Sequence, residues 1–75
     1  MPIAFVLLNV DLGTEGGVIA GLRGIEGVKE AWQIYGVYDI IAEIEAEDME
    51  KVKGILQEGM RRLDGIRSTL TLMAT

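Results

Sequence analysis

Five consecutive residues, Tyr35-Gly36-Val37-Tyr38-Asp39, hold the densest cluster of usable chemistry in this chain. Glycine at such a point can take a positive φ and close a tight turn, leaving backbone N–H groups free near its apex. Those N–H groups attract a carboxylate, and the Asp39 carboxylate attracts an ammonium ion. A free amino acid carries both charges, so the segment reads as a cradle for one. It also reads as a plain glycine turn, with two tyrosines trimming a strand edge and Asp39 bonded to turn backbone. Tyr35 in particular suits either a packed strand position or a ligand contact.

Other reactive groups are sparse. The chain has no Cys and no His, which removes disulfides, thiolate nucleophiles, imidazole bases and ordinary zinc sites. Ser68 is the lone serine and has no base evident beside it. Glu43, Glu45, Glu47, Asp48 and Glu50 read as solvated strand and helix positions rather than as a catalytic acid pair. Gly13 to Gly17 precedes a helical stretch but lacks the lysine and spacing of a phosphate loop. A base-stacking RNA module would place aromatics on its central strands, where only Phe5 stands. No cofactor and no metal is expected, and the chain does not read as an enzyme.

The elements that must position the turn follow from hydrophobic spacing. Ile3 to Leu8 is apolar at both parities, as in a strand covered on both faces. Thr14 is placed to cap a helix running to about Leu22, with Val18, Ile19 and Leu22 on its inner side. Val28 to Tyr35 and Asp39 to Ala46 are the next two strands, joined as a hairpin through Gly36. Trp32 suits either the core edge or an interface. Asp48 caps a second helix to about Leu63, where Val52, Ile55, Leu56, Met60 and Leu63 keep helical spacing and Glu58 pairs with Arg62. Ile66 to Ala74 is the last strand, Leu70 and Leu72 on one side, Thr69, Thr71 and Met73 on the other. The order β-α-β-β-α-β with right-handed crossovers predicts an α+β, ferredoxin-like sandwich: four antiparallel strands with both helices on one face.

That arrangement leaves one sheet face open, and it is partly apolar, with Ile41, Glu43 and Glu45 as the mixed side of the third strand. At 75 residues the chain buries only about 60% of the surface its unfolded form exposes, yet 49% of its residues are apolar. Self-association is the remaining way to cover the surplus, so an oligomer is expected, with a dimer as its smallest stable form. Twelve acids against seven scattered bases disfavour direct nucleic-acid binding. The apolar start has no basic flank and is too short to cross a bilayer, which points to a cytoplasmic protein without membrane attachment.

Taken together, Ile25-Glu26-Gly27-Val28, Tyr35 to Glu43, Asp48 and Gly65 to Leu72 resemble the RAM domain, the effector-binding module of Lrp/AsnC regulators. The G-x-Y-D turn ahead of a T-x-T strand is the specific part, and the resemblance spans essentially the whole chain. It implies a dimer formed through the open sheet faces, often built further into rings. It also implies an amino-acid effector held at that interface by the turn matching Gly36, Tyr38 and Asp39, with Thr69 and Thr71 nearby; Tyr35 joins the candidate contacts from its place in the turn. With the first strand starting at Ile3, residues 1–75 are expected to be one RAM domain without a helix-turn-helix. Such a module would act on transcription or metabolism through ligand-dependent assembly, including mixed assembly with a full-length Lrp/AsnC regulator. The competing readings are a cofactor-independent enzyme of the dimeric α+β barrel type, a purely structural assembly protein, and an ACT-type sensor, whose usual catalytic partner domain is not encoded here.

Overall fold

Strict alternation along the first strand sets the two faces of the sheet. In a computed structural model that describes residues 2–74, Ala4, Val6, Leu8 and Val10 of β1 (Ile3–Val10) are buried, while Ile3, Phe5, Leu7 and Asn9 are half-buried. The chain continues through α1 (Glu15–Arg23), β2 (Val28–Gln33), β3 (Ile40–Glu45), α2 (Met49–Gly54), a π-helical turn at Ile55–Gly59, and β4 (Ile66–Ala74). Met1 and Thr75 lie outside the described residues. The strands lie in the order β2-β3-β1-β4, each neighbouring pair antiparallel. This is the ferredoxin-like βαββαβ arrangement expected from the residue pattern.

The core sits between the sheet and the helices. Val6, Leu8, Ile40, Ala42, Ile44 and Ala31 of the sheet are fully covered, together with Leu22 and Val52 from the helices, and Val18 is nearly so. Among the described residues no polar or charged residue is buried, so the core carries no desolvation cost of that kind. Two glycines allow the helices to close in. A Cβ on Gly21 would collide with the Leu63 side chain, and one on Gly59 would come within 2.9 Å of Ile25 Cδ1.

Four expectations need correction. The second strand ends at Gln33 rather than Tyr35, and the third begins at Ile40 and ends at Glu45. β2 loses its ladder partners once β3 turns away, and Tyr35 projects into solvent at 96% exposure. Thr14 precedes α1, but its hydroxyl donates to the Asp11 carbonyl at 2.6 Å instead of accepting from the helix. Its φ of −97° and ψ of −3° are already helical, whereas a capping side chain needs extended backbone to turn back on the first turn. The second helix leaves α geometry after Gly54, flanked by Gly54 and Gly59, where no side chain restrains the backbone from widening. The expected Glu58–Arg62 pair is not formed, because that turn shifts the one-turn register. Asp48 caps as expected, its Oδ1 accepting the Lys51 N–H at 2.8 Å.

Candidate functional site

The hairpin that links β2 to β3 is closed by the Ile34 N–H, which donates to the Asp39 carbonyl at 2.9 Å. Gly36 at its apex has φ +131°, a conformation few side chains tolerate. Tyr35, Gly36 and Val37 are exposed, while Tyr38 and Asp39 are half-buried where the loop rejoins the sheet. Asp39 is held twice by the end of β1. Its N–H donates to the Leu8 carbonyl at 2.9 Å, and its Oδ2 accepts the Val10 N–H at 3.0 Å. The carboxylate therefore does bond backbone, as the plain reading of the turn had it, but the backbone of β1 rather than of the turn.

Beside Asp39 lies a shallow depression of about 410 Å³ lined by Asn9, Val10, Asp39, Arg67 and Ser68. Strand pairing brings these residues together. Asn9 lies opposite Ser68, and Asn9 Nδ2 donates to Ser68 Oγ at 3.3 Å. One position on, Val10 lies opposite Ile66, so the register slips and Arg67 is left without a partner across β1. A bulge of this kind turns a side chain out of the regular pleat. Arg67 Nε lies 3.8 Å from Asp11 Oδ1, a loose pair with both side chains largely in solvent.

Thr69 and Thr71 belong elsewhere. They lie opposite Leu8 and Val6, whose side chains are fully buried beneath the helices, so both threonines point to the helix side of the sheet. The open side of β4 carries Leu70 and Leu72, opposite Leu7 and Phe5. Asp39 thus lines the depression at one end of the sheet, while Tyr38 before it and the two threonines on the helix side are not among the lining residues. Residue-type reasoning missed Asn9, Arg67 and Ser68. Strand parity held the signal for two of them: Asn9 ends the series Ile3, Phe5, Leu7, and Ser68 continues Leu72, Leu70.

The rest of the open face is mixed: it is apolar along β1 and β4 near the depression, and it carries Glu43 and Glu45 of β3 opposite Phe5 and Ile3, with Glu30 opposite Glu43. Leu70, Leu7, Ile41 and Trp32 form one cross-strand row, and Leu72 and Phe5 begin the next. Trp32, Leu70 and Leu72 are each about half exposed, so Trp32 belongs to this face and not to the core. A wider groove of about 680 Å³ runs between the helices, lined by residues such as Gly21, Ile25, Ile55 and Leu63. It contains none of the candidate site residues. Among the described residues no helix is long and apolar enough to cross a membrane.

Residues 3–75 match the family model described as the Lrp/AsnC ligand binding domain. A hypothetical protein from Pyrococcus horikoshii is similar across its structure, with a TM-score of 0.93 and 32% identity, over 100% of this chain and 90% of that one. A transcriptional regulator from Neisseria meningitidis, solved as a complex with L-Met, shares the fold at a TM-score of 0.82 and 13% identity, over 99% of this chain and 49% of that one. Homocitrate synthase from Sulfolobus acidocaldarius is 45% identical over 47 residues, 63% of this chain and 10% of the enzyme. The chain spans about a tenth of the length of the curated relatives it matches. With the family model covering nearly every residue, the chain belongs to the Lrp/AsnC ligand binding domain family.

Proposed function

We propose that this domain senses a free amino acid and converts its binding into a change of assembly. The observation that carries the reading is the position of Asp39, pinned to the end of β1 and facing a polar depression beside the apolar row of the open sheet face. A carboxylate there suits an ammonium group. Family membership supports a ligand-binding role, and the neisserial regulator's complex with L-Met supports an amino acid as the ligand class. Two copies joined through their open faces would cover Phe5, Trp32, Leu70 and Leu72 and bring the depression to the margin of the seam. Dimers of this kind could build further into rings. With seven bases against twelve acids, the domain would influence transcription through a partner regulator rather than by gripping DNA itself. Thr69 and Thr71 would contribute only from the helix side of the sheet.

Calorimetric titration against the twenty proteinogenic L-amino acids, with native mass measurement of the same samples, tests this reading. The expected result is heat from at least one amino acid and a dimer or larger species. Silence across the panel from a properly assembled sample would refute the sensor. A second reading of the output has its own support: the segment shared with homocitrate synthases suggests a module that reports to a biosynthetic enzyme. Mixing the protein with a full-length Lrp/AsnC regulator and looking for mixed oligomers separates the two outputs.

A further inference from the structure

We propose that the depression beside Asp39 is the carboxylate subsite of the effector, with Arg67 as the residue that recognises the carboxylate. The inference rests on the amino-acid reading above and adds the residue that selects for the acid group. Four observations carry it. The depression is lined by one anion and one cation, Asp39 and Arg67, with Val10 and the neutral polar Asn9 and Ser68, at the Val10–Ile66 end of the β1–β4 ladder. Such a lining complements a molecule that carries both charges. Its volume falls within the roughly 300–1,000 Å³ range of small-molecule sites. The Arg67 guanidinium is turned out by the β-bulge, and its only ion-pair neighbour among the described residues is Asp11, at 3.8 Å. A pair that long and that exposed constrains the side chain little, so it is free to swing onto a ligand.

The turn apex is the weaker receptor for a carboxylate. Nothing stands within 4 Å of where a Gly36 side chain would begin, and its neighbours Tyr35 and Val37 are 96% and 85% exposed. A backbone N–H in open solvent competes poorly with water. A guanidinium offers two parallel N–H donors matched to the two oxygens of a carboxylate. Asn9 Nδ2, already spanning to Ser68 Oγ, supplies a further donor along the floor. The ammonium group then falls to Asp39 at the opposite wall. In this arrangement the ligand side chain extends over the adjoining row of Leu70, Leu7, Ile41 and Trp32, whose composition favours an uncharged one.

The test uses the intact protein, the twenty L-amino acids and, for each that binds, its carboxamide, which keeps the ammonium and removes the carboxylate charge. For the wild type, the carboxamide should bind roughly tenfold to a hundredfold more weakly than the acid. Arg67→Gln should weaken the acid by a similar factor while leaving the carboxamide almost unchanged, and Arg67→Lys should fall between. Because the Arg67 side chain is 70% exposed, these variants should keep the wild-type circular dichroism. Equal affinity of Arg67→Gln and wild type for the acid would overturn the assignment and leave the sensor standing. A wild type that binds no amino acid would overturn both.

Discussion

Asp39 performs two tasks that substitution can separate. Its Oδ2 satisfies the N–H of Val10, a residue only 6% exposed, so removing the carboxylate strands a nearly buried donor. Asp39→Ala should therefore cost about 1–3 kcal/mol of stability, read from urea denaturation. Asp39→Asn keeps an oxygen that can accept the same bond but loses the charge for an ammonium group. It should unfold close to wild type and lose most amino-acid affinity; equal losses in both properties would mean the residue is purely structural. Gly65 gives an independent measure of strain. It has φ +93°, and a Cβ there would lie 2.8 Å from Thr14 Oγ1. The threonine hydroxyl is already committed to the Asp11 carbonyl, which leaves it little freedom to retreat. Gly65→Ala should destabilise the fold by about 1–3 kcal/mol. The turn and its aspartate were legible in the sequence because a glycine between two strand-forming runs signals a turn. The rest of the depression's lining was not, because Ser68 meets Asn9 across 59 residues of chain, with Arg67 next to it, through a register that only pairing sets. A shift of one position in that register moves every side chain to the other face. That is why Thr69 and Thr71, carried over by resemblance, stand on the helix side while Ser68 lines the depression.

Elements were readable where one periodicity ran uninterrupted and misjudged where it met a partner's end. α1 and β4 lie where the apolar spacing put them and β1 runs two residues past the apolar run, to Val10, whereas the expected second strand overran its ladder and the second helix changed pitch midway. The change of pitch yields a prediction. Gly54 is exposed, has ordinary helical angles and has open space where a Cβ would stand. Gly54→Ala should stabilise the protein by roughly 0.5–1 kcal/mol through lost freedom in the unfolded chain. The corresponding rise in Tm is read at fixed protein concentration, since association also shifts Tm. The free edge of β2 is managed differently. Glu30 Oε1 accepts the Ala31 N–H at 2.9 Å, Arg23 Nη2 donates to the Ala31 carbonyl at 3.0 Å, and Arg23 Nε meets Glu30 Oε1 at 2.7 Å. Both edge groups of Ala31 are thus occupied, which discourages another strand from adding there. The Ala31 N–H first, and the Arg23 guanidinium second, hold the Glu30 carboxyl below its ordinary value. A lowered value in the folded state stabilises above the ordinary carboxylate range and is lost as pH falls through the folded value. Glu30→Gln should therefore flatten part of the acid limb of Tm against pH, by a small amount because the pair is exposed. Lys29 has the opposite sign. Its hydrogen bond to Glu45, and then that carboxylate's charge, raise its value, so its contribution is present at neutral pH and fades in strong alkali.

At the scale of the whole molecule, the two faces of one sheet have unequal cover. The helix side is closed by α1, α2 and the π-helical turn, and its β1, β2 and β3 centres are dry. The other side leaves Leu70 44% and Leu72 49% exposed, with Trp32 beside the same row. Burying a leucine completely is worth about 1.5–3 kcal/mol, and half of each of these two is still available. Summed over two copies with Phe5, Leu7, Ile41 and Trp32, the gain reaches several kcal/mol, set against an association cost of at least about 4 kcal/mol and the cost of drying Glu43, which lies opposite Phe5 on the same face. Face-to-face pairing is the arrangement that collects this gain, and a two-fold axis would place each protomer's leucines in a shared centre. Leu70→Glu with Leu72→Glu would set four carboxylates into that centre, where apolar area is lost and like charges repel. Neither side chain supports its own core, so the protomer should keep its fold. The double variant should run as a monomer in sedimentation while wild type runs as a dimer or larger. Asp39→Asn, in contrast, should stay assembled. If the effector lodges at the seam, the leucine variant loses amino-acid binding together with its partner, although Asp39 and Arg67 are intact. A monomeric variant that still bound amino acids with wild-type affinity would show that the depression is complete within one chain and that assembly serves stability alone.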